Sequence, residues 1–93
     1  MKSYQAESCN TIAQHYGKDS QVLVAIEEMS ELTKELCKYF RRYDRRNEII
    51  EELADAEIML EQLKCLFDIH TEVSNEIDYK LERQLRRIDQ ERE

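Results

Sequence analysis

Apolar residues recur along this chain at intervals of three and four, the spacing that lines one side of an α-helix. The first such stretch holds Ala6, Cys9, Ile12, Ala13 and Tyr16. It predicts a helix from a Ser3 N-cap to Tyr16, with Gly17 in the left-handed position that ends it. A second stretch, Val22, Ala25, Ile26, Met29, Leu32, Leu36 and Phe40, predicts a helix capped by Asp19 or Ser20 and running out near Tyr43-Asp44. The third begins around Asn47 and carries Ile49, Leu53, Ala56, Met59, Leu60, Leu63, Leu66 and Phe67. Thr71 is the expected cap of the fourth, with Val73, Ile77, Leu81, Leu85 and Ile88 in register. At about 1.5 Å per residue the second and third helices each extend roughly 35 Å. Joined by a short loop, they must form an antiparallel hairpin.

Residues 1–93 are thus expected to form one all-α domain, a four-helix bundle-like fold. Its apolar content is thin for 93 residues. Burial between chains is therefore expected to complete it, as a homodimer or a dimer of dimers.

Composition sharpens this picture by exclusion. With one Gly and no Pro, the chain lacks the turn chemistry of a β-sandwich or barrel. A Gly-rich phosphate loop is excluded for the same reason. No window approaches the apolar length of a membrane span. Met1-Lys2-Ser3-Tyr4-Gln5 leads into no apolar stretch, so no signal peptide is expected. The formal net charge of −7 argues against binding duplex nucleic acid. It leaves room for a polyphosphate held through a metal and a few local cations. Cys9, Cys37 and Cys65 are odd in number, widely spaced and set in apolar helical patterns. They are expected to be reduced core thiols, which places the protein in the cytoplasm.

The acidic residues carry the candidate chemistry. Glu27-Glu28-Met29-Ser30-Glu31 lies on the second helix and Glu51-Glu52-Leu53-Ala54-Asp55 on the third. Glu28/Glu31 and Glu52/Asp55 each project two carboxylates from one side of a helix. Spacing alone is uninformative, because chance gives roughly five such pairs at this acidic content and three occur. Placement says more. Glu52 falls inside the apolar arc of its helix beside Met59 and Leu63, with Asp55 on the edge, and Glu28 flanks Leu32 and Ala25. A carboxylate on a core-facing stripe is costly unless a cation or donor meets it. In an antiparallel hairpin all four can converge, and clusters of oxygen ligands suit Mg²⁺ or Mn²⁺.

On the fourth helix Lys80, Arg83 and Arg87 flank the Ile77/Leu81/Leu85 seam and form a candidate phosphate clamp. Ordinary pairing, such as Glu76 with Lys80 or Glu82 with Arg86, competes with that role. The dense Arg41-Arg42-Tyr43-Asp44-Arg45-Arg46 run reads as a solvated loop that compensates the dipole of the second helix. His15 and His70 offer no Glu-x-x-His pair for a di-iron site, and no Cys/His grouping follows from two isolated histidines.

Glu28-x-x-Glu31 followed by Glu52-x-x-Asp55, each preceded by another Glu, resembles the MazG-like all-α nucleoside triphosphate pyrophosphohydrolases. Lys80-Leu81-Glu82-Arg83 is similar to that family's Lys-x-x-Arg element, and the likeness spans residues 19 to 90. The resemblance implies a MazG fold and Mg²⁺- or Mn²⁺-dependent hydrolysis of a (deoxy)nucleoside triphosphate to monophosphate and pyrophosphate. By this likeness Glu28, Glu31, Glu52 and Asp55 hold the metal. Lys80 and Arg83 meet the phosphates by the same likeness, from this chain or a neighbouring subunit; Arg87 joins them only through its spacing on the fourth helix. Glu27 or Glu31 serves the attacking water, and Gln21 reaches the sugar or base. The absence of Trp leaves base recognition open, with Tyr4, Tyr16, Tyr39 or His15 as stacking candidates. The alternative from another class is a non-catalytic helical dimeric adaptor whose seam tolerates polar residues.

Overall fold

A computed structural model describes residues 1–41 and 44–92. Four helices follow in order: α1 (Ser3–Tyr16), α2 (Lys18–Tyr39), α3 (Arg46–Phe67) and α4 (His70–Arg92). No strand occurs among the described residues. The all-α prediction and the number of helices therefore hold.

The helix ends differ from expectation in a consistent way. Ser3, Asp19, Ser20, Asn47 and Thr71 all lie inside their helices, not before them. The residues that do cap α1, α2 and α3 are Lys2, Gly17 and Arg45, none with a side-chain cap bond. Other groups meet the first amides. The Gln5 side-chain oxygen accepts from the Lys2 amide at 2.8 Å, and the carbonyls of Lys2, Gly17, Arg45 and Ile69 each accept the first helical bond of their helix. Helix α2 ends at Tyr39 with Phe40 as its C-cap, short of the predicted Tyr43-Asp44 end. Tyr43, like Arg42 of the basic run, lies outside the described residues.

Two single-residue devices turn the chain. Gly17 joins α1 to α2 at φ 88° and ψ 168°, a region only glycine enters freely. A Cβ there would meet nothing within 4 Å, so the backbone conformation and not crowding calls for glycine. Asp68 ends α3 in the left-handed region at φ 53° and ψ 53°, which a short polar side chain tolerates. It turns the chain at once into α4.

α2 and α3 form the expected antiparallel hairpin, and their seam is strongly polar. Gln21 Nε2 donates to Gln62 Oε1 at 2.8 Å at one end. Glu28 meets Glu52 and Asp55 in the middle, and Arg45 grips Glu35 at the other end. Ala25 and Ala56 are buried, and with Met59, Cys9 and Ala13 they make up the apolar interior. Small side chains let the backbones approach, while α1 packs mainly on α3.

Much of the predicted apolar stripe stays at the surface of the single chain. Ile26, Leu36, Phe40, Leu53, Leu60 and Phe67 are exposed, and so are Ile77, Leu81, Leu85 and Ile88 of α4. Helix α4 buries no residue and, among the described helices, packs its backbone only against α3. The accessible surface of 7621 Å² exceeds the roughly 5,700 Å² of a folded monomer of this mass. The radius of gyration, 16.2 Å, likewise exceeds the approximately 12 Å of a compact chain of this length. The cysteines are free as predicted, but only Cys9 is a core thiol; Cys65 is half-buried and Cys37 exposed. Cys37 lies one residue beyond the exposed Leu36, outside the seam.

Gln62 is 2% exposed and Gln21 5%; Ser20 Oγ donates to Gln21 Oε1 at 3.3 Å, so the Gln21 Nε2 group depends on Gln62. Gln62→Leu leaves the Gln21 Nε2 donor buried without its acceptor, and chemical denaturation should show a loss of about 1–3 kcal/mol. Replacing both glutamines by Leu should recover most of that loss. An unchanged midpoint in the single variant would show that water reaches the pair.

Candidate metal centre

Three of the predicted ligands come together. Glu28 from α2 and Glu52 and Asp55 from α3 each place a carboxylate oxygen within 4.8 Å of the other two. The helical register explains why. Glu52 and Asp55 lie three apart on one side of α3, and the antiparallel pairing sets Glu28 opposite both. Glu28 and Glu52 are half-buried and Asp55 is exposed, so the cluster opens to solvent on one side.

The electrostatics are those of a site short of positive charge. Burial first, then the charges of Asp55 and Glu52, push the Glu28 carboxyl above its ordinary 4.5. A hydrogen bond with Asp55 adds to this by favouring the protonated form. Burial also leads at Glu52, followed by Asp55, Glu31, Glu35 and Glu51, all raising it. Glu52 Oε2 is enclosed with no hydrogen-bond partner. A buried acceptor without a donor is costly, and a divalent cation would relieve both the orphan oxygen and the crowded charge. The donor set, all carboxylate oxygen, suits a hard ion such as Mg²⁺ or Mn²⁺.

Glu31 stands outside the trio and is exposed, though near enough for its charge to raise Glu52. Glu27 is exposed and acts on Glu28 in the same sense. Gln21 faces away from solvent and is engaged with Gln62 within the seam. Lys80 and Arg87 are exposed on α4, which makes no contact with α2, so the chain does not bring them to the carboxylates. Arg83 is half-buried, its guanidinium 5.7 Å from the Tyr79 ring, and its Nε is enclosed without a partner. Of the competing pairs on α4, Glu82 with Arg86 is present at 3.8 Å. The aromatic candidates lie elsewhere: His15 packs edge-on against Tyr16, and Tyr39 against Phe40. Tyr4 lines a groove with Ile12, Ala54 and Ile58.

The sequence pattern missed Glu35 and Arg45. Arg45 Nε and Nη2 donate to the two Glu35 oxygens at 2.8 and 3.0 Å, with Lys38 Nζ at 3.4 Å. The bidentate bond with Arg45, chiefly, holds the Glu35 carboxyl below the ordinary range. Arg45 is thus a half-buried clamp on the hairpin, not a solvated loop residue. Its signal was available, since Glu35 sits one turn beyond Glu31 on the seam and wants a cation there.

Comparisons with models of protein families, with curated proteins and with solved structures find no match to this chain.

The pKa directions fix a pH dependence. For Glu28 and Glu52, raised above 4.5, the folded state holds protons that the unfolded state has released. Stability therefore rises as pH falls toward the ordinary carboxylate value. For Glu35, depressed below 4.5, stability is lost as pH falls further. In EDTA, the melting temperature should climb as pH falls from neutrality toward the ordinary carboxylate value and decline as pH falls below it. Glu52→Gln should flatten the upper part of that curve. A melting temperature that declines steadily from neutrality would contradict the carboxylate crowding.

Proposed function

We propose that this protein is a metal-dependent nucleotide pyrophosphohydrolase of the MazG-like kind, which cleaves a (deoxy)nucleoside triphosphate into monophosphate and pyrophosphate. The observation that carries the proposal is the convergence of Glu28, Glu52 and Asp55 from two helices around an enclosed Glu52 oxygen that nothing else satisfies. The stability of the hairpin does not account for carboxylates placed so. The acidic strings and the Lys80-x-x-Arg83 element add support by their order along the chain.

In this mechanism Glu28, Glu52 and Asp55 would hold the cation, with the exposed Glu31 one turn along α2 as the further carboxylate of the set. When bound, the ion would neutralise triphosphate charge and lower the pKa of water. Glu27 or Glu31, both on the open side, orients that water and takes its proton. The water oxygen bonds to the α-phosphorus as the bond to the β-phosphate oxygen breaks, and pyrophosphate leaves. Lys80, Arg83 and Arg87 meet the phosphate oxygens from a second copy of the chain. The uncovered apolar face of α4 and the excess accessible surface support such a copy. Removal of unwanted nucleotides or control of nucleotide pools is the fitting role.

A nucleotide panel assayed for pyrophosphate should show release with Mg²⁺ and none after EDTA, and Glu52→Gln should abolish it while circular dichroism stays helical. Orthophosphate as the product, or turnover without a metal, would overturn the mechanism. No turnover on any nucleotide would favour a helical adaptor.

Light scattering should give the mass of a dimer or tetramer. Leu81→Glu with Leu85→Glu should lower that mass and the activity together. A wild-type monomer that is fully active would remove the second copy from the mechanism.

A further inference from the structure

A second cluster of donors lies on the other side of α3, and it is chemically unlike the first. Glu61 and Cys65 stand four apart on α3, one above the other on a single face. That face is turned about half a revolution from Glu52 at 100° per residue. The left-handed Asp68 ends α3 and brings His70, at the start of α4, back over both side chains. His70 Nε2 lies 2.6 Å from Glu61 Oε2. Cys65 Sγ lies 3.7 Å from that oxygen and 4.0 Å from the imidazole nitrogen. One oxygen, one sulfur and one nitrogen thus bound a single small space.

These separations are close to the geometry of a tetrahedral site. With ligand bonds of about 2.0–2.3 Å to zinc, the edges of the tetrahedron are roughly 3.3–3.8 Å. The two distances from sulfur already fall near that range, and only the Glu61–His70 separation must open, by under about 1 Å. The Glu61 side chain is mostly enclosed, whereas His70 is half exposed, so the carboxylate is fixed while the ring is free to adjust. Glu7 and Asn10 of α1, with Asp68, line the same shallow depression and leave a fourth position open to water or to one of them.

We propose that Glu61, Cys65 and His70 form a binding site for a thiophilic divalent cation such as Zn²⁺, separate from the carboxylate cluster of the α2–α3 seam. Thiolate and imidazole select such an ion over Mg²⁺, which favours oxygen alone. Binding replaces the S–H bond of Cys65 by a sulfur–metal bond and releases that proton to solvent. The proton shared between His70 Nε2 and Glu61 Oε2 leaves as well, to Nδ1 or to solvent, so that His70 binds as the neutral ring through Nε2 and Glu61 as the carboxylate. Because the ligands come from both sides of the α3–α4 turn, the ion would fasten α4 to α3, where few other contacts hold it. The site does not rest on the pyrophosphohydrolase proposal.

Co²⁺ added to the reduced full chain is the test, because a thiolate in a tetrahedral cobalt site gives an intense near-ultraviolet charge-transfer band and strong visible bands. Both should appear and saturate at one equivalent, and Zn²⁺ should abolish them. Cys65→Ser should remove the charge-transfer band, and His70→Ala should lose the tetrahedral visible bands, with helical circular dichroism retained in each. Cys37→Ser and Glu52→Gln should keep the full spectrum. Absence of a charge-transfer band in the wild type, or its survival in Cys65→Ser, would overturn the site and leave Glu61–His70 as an ion pair at the α3–α4 turn.

Discussion

The constraint on which this structure depends is the polar seam between α2 and α3. An interior of Ala, Cys and Met side chains offers little area to bury, so the hairpin is fixed instead by paired polar groups at measured intervals. Gln21 with Gln62 sets the register at one end, and Glu35 with Arg45 closes the other. Each pair is intolerant of slippage, because a shift of one residue would leave an amide or a charge buried alone. The carboxylates between them have no such internal partner. Held in place by both ends, Glu28, Glu52 and Asp55 keep a crowding of negative charge that a relaxed hairpin would disperse.

That arrangement links stability to chemistry. A divalent ion would relieve the same burial and crowding that raise Glu28 and Glu52, so under the proposed function the cost of leaving the cluster empty and its affinity for the ion would share one cause. The lowered Glu35, only one turn away on α2 from the exposed Glu31, shows the opposite case: a carboxylate that has its guanidinium. The two outcomes along one helix differ only in whether a basic side chain reaches across.

The far side of α3 faces a different environment. There α1 covers the helix, and the turn at Asp68 draws α4 back, so that sulfur and imidazole join a carboxylate. One helix therefore presents an all-oxygen donor set on one face and a mixed donor set on the other. The body of the helix itself keeps the two donor sets apart.

Hydrophobic period alone determined the number of helices, their order and the antiparallel hairpin, because a stripe repeating every three to four residues has only one backbone that can bury it. It also placed Glu28, Glu52 and Asp55 near the seam, since a helix fixes the angle between residues on its surface. Helix ends were poorly legible: Ser3, Asp19, Asn47 and Thr71 look like caps, but backbone carbonyls and a glycine closed the first turns instead. Only the tertiary structure decided which seam residues find partners. It gave Arg45 to Glu35 and Gln62 to Gln21, left Glu31 outside the trio, and joined His70 to Cys65 across a helix break. These pairings depend on the distance between different helices and on the sharp turn at Asp68, and neither quantity is written in the period of any one segment. The apolar face of α4 is plain in the sequence, yet a single chain folds with nothing to cover it.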